Sequence, residues 1–202
     1  TLTEALTGTT YTSGLFGKWH LGESALPTDR GWTYFAGSPG GEIDYYAWKR
    51  VVVSSGVKTL SNQTTYSTAV NVSDALAWIK LQTTPWWATV AMNAAHTQDD
   101  PNVKYIEPPT TCLSGAITGP GDTVLYHQTL ECADYYIGTL VNGMSQDTLA
   151  NTTIIFMGDN GTSSEVNQVY SSNRTKSSVY QGGVHVPLII ADGASIAGRD
   201  SI

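Results

Sequence analysis

Two hydrophobic periodicities take turns along this chain, and their alternation restricts the fold more than any other feature. Tyr11 to Phe16 reads as a strand, preceded by a short helix around Leu2, Ala5 and Leu6 for which Thr1 and Glu4 have capping-box spacing. Between Tyr66 and Leu81, Val72, Ala75, Leu76 and Ile79 recur at helical spacing, with Ser67 placed as a cap. Trp86 to Met92 lacks alternation, as an inner strand covered on both faces would. A second helix fits Asp122 to about Met144, with Leu125, Thr129, Cys132, Ala133, Tyr136 and Leu140 on one face. Thr153 to Met157 and Val186 to Ala191 supply further strands. Strands alternating with helices imply the α/β class, as a mostly parallel sheet with helices on both faces.

Composition narrows the function. Hydrophobic residues make up 41% and charged residues 13%, the balance of a folded domain. A formal net charge of -7, with Lys and Arg totalling 10, argues against a nucleic-acid partner. No apolar stretch approaches the roughly 20 residues of a membrane-spanning helix. Cys112 and Cys132 match neither zinc nor redox spacing, and a disulfide between them is one option left open. Asn62, Asn71, Asn151, Asn160 and Asn173 begin Asn-X-Ser/Thr acceptors, which suits N-glycans on a secreted or secretory-pathway protein.

Ligands of parallel sheets gather beyond the carboxyl ends of the strands, which directs attention to Gly17–Gly22, Asn93–Pro101 and Gly158–Gly161. Gly17-Lys18-Trp19-His20-Leu21-Gly22 joins close-approach glycines to a cation and an imidazole, a combination suited to an oxyanion. Asp159-Asn160 offers a carboxylate and an amide oxygen, the donors a hard cation such as calcium takes. The turn reading of Asn160-Gly161 is weakened because Thr162-Ser163-Ser164-Glu165 does not alternate. His96 follows the Trp86–Met92 strand, and Lys176 precedes Gly182-Gly183.

GKWHLG, AHTQ, FMGDNG and KSSVYQGGVHVPLII, with Pro27–Gly31 and Asp44-Tyr45-Tyr46, occur in an order and spacing that resembles the sulfatase family, arylsulfatase type, of the alkaline phosphatase superfamily. The resemblance runs almost end to end and treats residues 1–202 as part of a sulfatase-type catalytic domain, incomplete at both ends. It implies that Lys18, His96 and Lys176 contact the sulfate of a sulfate ester and that His20 hydrogen-bonds a formylglycine nucleophile. It also implies that Asp159 and Asn160 bind Ca2+. The Cys/Ser-X-Pro-Ser-Arg segment that matures to formylglycine is not in these residues, nor is the family's upstream pair of metal-binding aspartates, and Gln181 stands where Glu is common. The resemblance therefore implies a sulfuric-ester hydrolase whose nucleophile lies outside this chain, inactive as this chain alone. Two other readings are a phosphoester or phosphonate hydrolase of the same superfamily and a non-catalytic, sulfatase-like secreted glycoprotein. The compartment implied is secretory or lysosomal, or periplasmic in a bacterium.

Overall fold

The computed structural model describes residues 2–98 and 103–197. Thr1, the expected cap of the first helix, and Pro101 lie outside them. The described chain separates into two compact units, one built from residues 1–120 and 124–143, the other from 121–123 and 144–202.

The first unit opens with α1 (Leu2–Ala5) and continues through β1 (Thr12–Lys18), β2 (Tyr34–Ser38), β3 (Trp48–Ser54), β4 (Val57–Gln63), α2 (Ser67–Ile79), β5 (Trp86–Ala91) and α3 (Asp122–Asn142). Among the described residues its sheet has the order β4-β3-β2-β1-β5. β1 runs parallel to both neighbours, β2 and β5, whereas β3 joins β2 and β4 in antiparallel fashion. The α/β class is thus as expected, with a sheet that is mixed. Local chemistry explains the antiparallel part: Ser55 and Gly56 both have positive φ (50° and 77°), forming a two-residue turn that returns β4 directly against β3.

Side chains of β1 alternate between two cores, as the pleat of a strand dictates. Leu15 packs with Leu26, Phe35, Val51 and Val53, covered by Trp19 and Trp32 of the next connection. Phe16 points the other way, its ring 5.7 Å from that of Trp78 on α2. A bidentate pair between Arg50 on β3 and Asp74 on α2, with both bonds at 2.7 Å, fastens this helix to the sheet. A third cluster gathers Tyr45, Tyr66, Cys112 and Cys132, with Tyr136 of α3 packed against it. Cys112 and Cys132 are disulfide-bonded, which settles the alternative left open by the sequence and ties the long connection to α3.

Two local expectations are corrected. Ser67 does not cap α2 with its side chain: it is the first helical residue, wholly buried, and its amide donates to the Tyr45 carbonyl at 3.0 Å. Among the described residues, Trp86–Ala91 is not an inner strand of this sheet but its end member, with every residue partly exposed. Its burial does not alternate along the strand, and periodicity alone does not separate such a strand from an inner one.

The second unit contains α4 (Gln146–Ala150), β6 (Thr153–Met157), α5 (Gln181–Val184), β7 (Leu188–Asp192) and α6 (Gly193–Ala197). The Ser145 hydroxyl caps α4 by accepting from the Thr148 amide. β6 and β7 pair antiparallel, from Thr153 opposite Asp192 to Met157 opposite Leu188.

Candidate active site

In the first unit, the parallel core of the sheet brings three of the expected site residues to one edge. Gly17 ends the buried stretch of β1 with φ at 100°, a conformation that favours glycine. A Cβ there would collide with the Ala91 carbonyl oxygen of β5, and one on Gly37 would collide with the Gly17 carbonyl. The three strands therefore close on each other just before their ends, and the loops they lead into are held at one rim. Lys18 is the last residue of β1, opposite Ser38. Trp19 donates its amide to the Ser38 carbonyl at 2.9 Å and its indole N–H to the Ala25 carbonyl at 2.8 Å. His20 has φ at 62°, and its amide donates to Pro39 at 3.2 Å. The ring lies directly over Gly41, where a Cβ would overlap it.

His96 comes to the same edge from the turn after β5. Its amide donates to the Asn93 carbonyl at 2.9 Å, and the Tyr45 hydroxyl reaches the carbonyls of Asn93 (2.6 Å) and His96 (2.8 Å). Burial pushes the Tyr45 hydroxyl well above the ordinary tyrosine pKa, so it remains a neutral donor. The Asn93 side chain accepts from Asn71 at 3.0 Å, deep in the fold. Around the imidazole, Nδ1 stands 2.9 Å from the Thr97 carbonyl oxygen and 3.6 Å from Glu42 Oε1, and Thr97 Oγ1 donates to Glu42 Oε1 at 2.6 Å. The connection after β2 thus touches both histidines, His20 through Gly41 and His96 through Glu42 and Tyr45. Tyr45 and Thr97 stand out in the sequence only as parts of motifs, and Glu42 not at all. Their roles arise from contacts 51 to 55 positions apart along the chain.

The second unit gathers the other three. Asp159 and Asn160 are exposed immediately beyond β6. Gly158 donates to Pro187 at 3.1 Å, and Gly161 to Gly183 at 2.9 Å, which pins the loop on both sides. The Lys176 amide donates to the Thr162 carbonyl at 2.9 Å, placing that lysine's backbone beside the loop. Gly182 and Gly183 leave no room for a Cβ against the Arg174, Thr175 and Ser178 carbonyls, so the segment folds tightly back. Asp159 and Asn160 present adjacent hard oxygen donors and fit as part of a calcium shell, which takes 6 to 8 oxygens. No group of three or more His, Cys, Asp or Glu suited to a metal occurs among the described residues.

Sugar acceptors divide by exposure. Asn62, Asn151, Asn160 and Asn173 are exposed, whereas Asn71 is wholly buried with its amide nitrogen committed to Asn93. The expectation of a glycan at Asn71 is corrected accordingly.

Compared with known proteins, residues 1–200 match the family model described as Sulfatase. The chain belongs to the sulfatase family. No curated protein matches this sulfatase chain. Among solved structures it is similar to Ps i-CgsB in complex with k-i-k-neocarrahexaose, with a TM-score of 0.77 and 22% identity over 94% of this chain and 46% of that one. The PsFucS1 sulfatase from Pseudoalteromonas sp. gives a TM-score of 0.73 and 20% identity over 93% of this chain and 44% of that one. BT4656 in complex with its substrate D-glucosamine-2-N,6-O-disulfate gives 0.63 and 16%, over 94% and 55%. The fold is that of these structures, and the chain spans about half their length. Among the described residues, no helix is long and apolar enough to cross a membrane.

Proposed function

We propose that this chain supplies sulfate-contacting groups and part of a calcium site to a sulfuric-ester hydrolase. The observation that carries the reading is the family match over residues 1–200, with Lys18, His20 and His96 at one sheet edge. In this reading the Lys18 ammonium and the His96 ring, at one edge of the first unit, meet sulfate oxygens. They offset the negative charge that grows as the sulfur–oxygen bond to the leaving alcohol breaks. His20 orients the attacking group by hydrogen bonding. Asp159 and Asn160 would hold calcium, which when bound polarises sulfate oxygens as a Lewis acid. The formylglycine nucleophile of this reading lies outside the chain, so the chain alone turns over no ester.

The substrate is a sulfate ester of an alcohol or aryl compound. A sugar sulfate is favoured, because two similar structures hold a saccharide or a sulfated sugar. The Cys112–Cys132 disulfide supports an oxidising compartment, secretory, lysosomal or periplasmic, since such bonds persist there. Exposed Asn62, Asn151 and Asn173 are the acceptors open to N-glycans in a eukaryotic secretory host. The test is release of inorganic sulfate from 4-nitrophenyl sulfate by the intact protein, with and without calcium chelation. Calcium-dependent release supports the reading. Cleavage of 4-nitrophenyl phosphate in preference would replace it with a phosphoester hydrolase, and inertness towards both with a non-catalytic scaffold.

A further inference from the structure

The atoms around His96 Nδ1 have a definite donor and acceptor order. The Thr97 carbonyl oxygen at 2.9 Å accepts only, so Nδ1 carries a proton. Thr97 Oγ1 lies 3.3 Å from the same nitrogen and gives its own hydrogen to Glu42 Oε1 at 2.6 Å, which turns its lone pairs towards the ring. Glu42 Oε1 itself stands 3.6 Å from Nδ1. Nδ1 thus faces three oxygens acting as acceptors, and one of them is made so by Glu42. Tyr45 secures the main chain of the same turn, so the ring is fixed from behind.

A proton fixed on Nδ1 makes neutral His96 a lone-pair acceptor at Nε2. Sulfate oxygens also only accept, and a contact between them and Nε2 requires a second N–H. We propose that Glu42 is the positioning residue that reinforces, through Thr97 Oγ1, the Nδ1 proton held by the Thr97 carbonyl, so that His96 meets sulfate with a second proton on Nε2, as an imidazolium. The sulfate half of this statement rests on the sulfatase reading, while the Glu42 half rests on the geometry alone. Among the described residues, charged groups brought to this edge of the first unit include Glu42 from the connection after β2 and Lys18 and His20 from the end of β1. Glu42 is half-exposed, which makes its effect on His96 modest.

Histidine nitrogen-15 NMR on the intact protein separates the two halves, with the His96 signals assigned by their loss in H96Q. Without sulfate and above the titration range, neutral His96 should be the Nδ1–H tautomer. E42Q should lower the Nδ1–H population without abolishing it, because an amide can donate to Thr97 Oγ1 and free that hydroxyl to compete with the Thr97 carbonyl at Nδ1, and E42D should restore part of that population. With saturating inorganic sulfate at neutral pH, both nitrogens should be protonated. E42Q should also raise KM for 4-nitrophenyl sulfate about 2- to 5-fold, with kcat changed less. An Nε2–H tautomer in the unaltered protein, or one indifferent to E42Q, overturns the role of Glu42. A correct tautomer with no response to sulfate overturns the sulfate contact and leaves the Glu42 relationship standing.

Discussion

Gly17 of β1 lies so close to Ala91 of β5 that a Cβ on the glycine would collide with the alanine carbonyl oxygen and stand 2.9 Å from its carbon. This contact sits one residue before Lys18, so the closeness of the strands fixes where the candidate lysine leaves the sheet. Gly17→Ala combines backbone strain at φ 100° with a clash against main chain, which has no rotamer to yield. The expected cost is about 2–4 kcal/mol, read as a lowered denaturant midpoint. Gly37→Ala, against the Gly17 carbonyl, should behave alike. Gly56→Ala should cost only about 1 kcal/mol, since φ is positive there but the space is open.

The disulfide closes a sequence separation of 20, for which the entropy lost by the unfolded chain is worth about 3 kcal/mol. The paired variant C112S/C132S should lose that amount in chemical denaturation. A loss under about 1 kcal/mol would show that the buried tyrosines around the bond hold α3 without it.

Alkaline stability is set by the same cluster. Burial raises the hydroxyl pKa of both Tyr45 and Tyr66 above the ordinary value. A folded pKa above the unfolded one favours the folded state fully below about pH 10. Stability then falls as pH rises from there towards the folded values, by about 1.4 kcal/mol per pH unit for each tyrosine. Tyr66→Phe should flatten that decline, because it removes one of the two buried hydroxyls whose ionisation opposes folding at high pH. Tyr45→Phe should cost about 1–2 kcal/mol at neutral pH, since it strips the hydroxyl from the Asn93 and His96 carbonyls.

Much of this arrangement is legible in the sequence where a segment carries its own periodicity. β1, α2, α3 and β6 fall within two residues of their expected limits, and the candidates His20, His96, Asp159 and Asn160 lie in the segments after β1, β5 and β6. Strands β2 to β4 lie outside the expected set, although Val51-Val52-Val53, then Ser55-Gly56, then Val57 is a hairpin signal. The end position of β5 is not legible, because periodicity reports side-chain cover and not strand order. Glu42 is hidden for a different reason: it is an ordinary polar loop residue until folding puts it beside His96 and Thr97.

Glycan occupancy tests the burial pattern. In a eukaryotic secretory host, Asn71 should be bare because its amide is buried against Asn93, while Asn62, Asn151 or Asn173 should carry sugar. Asn160 should also be bare if its oxygen serves calcium, since a linked sugar and a metal shell exclude each other there. Glycopeptide mass spectrometry reads each acceptor separately. Sugar on Asn160 would remove it from the metal site in that molecule.

The central claim is that Lys18 and His96, at one edge of the first unit's sheet, act on the sulfate of a sulfate ester, and steady-state hydrolysis of 4-nitrophenyl sulfate by the intact protein and its single variants measures this most directly. Lys18→Ala and His96→Ala should each lower kcat/KM by about 100-fold or more, as loss of a group that meets developing charge does. Variants retaining kcat/KM within about 3-fold of the unaltered protein would contradict the account.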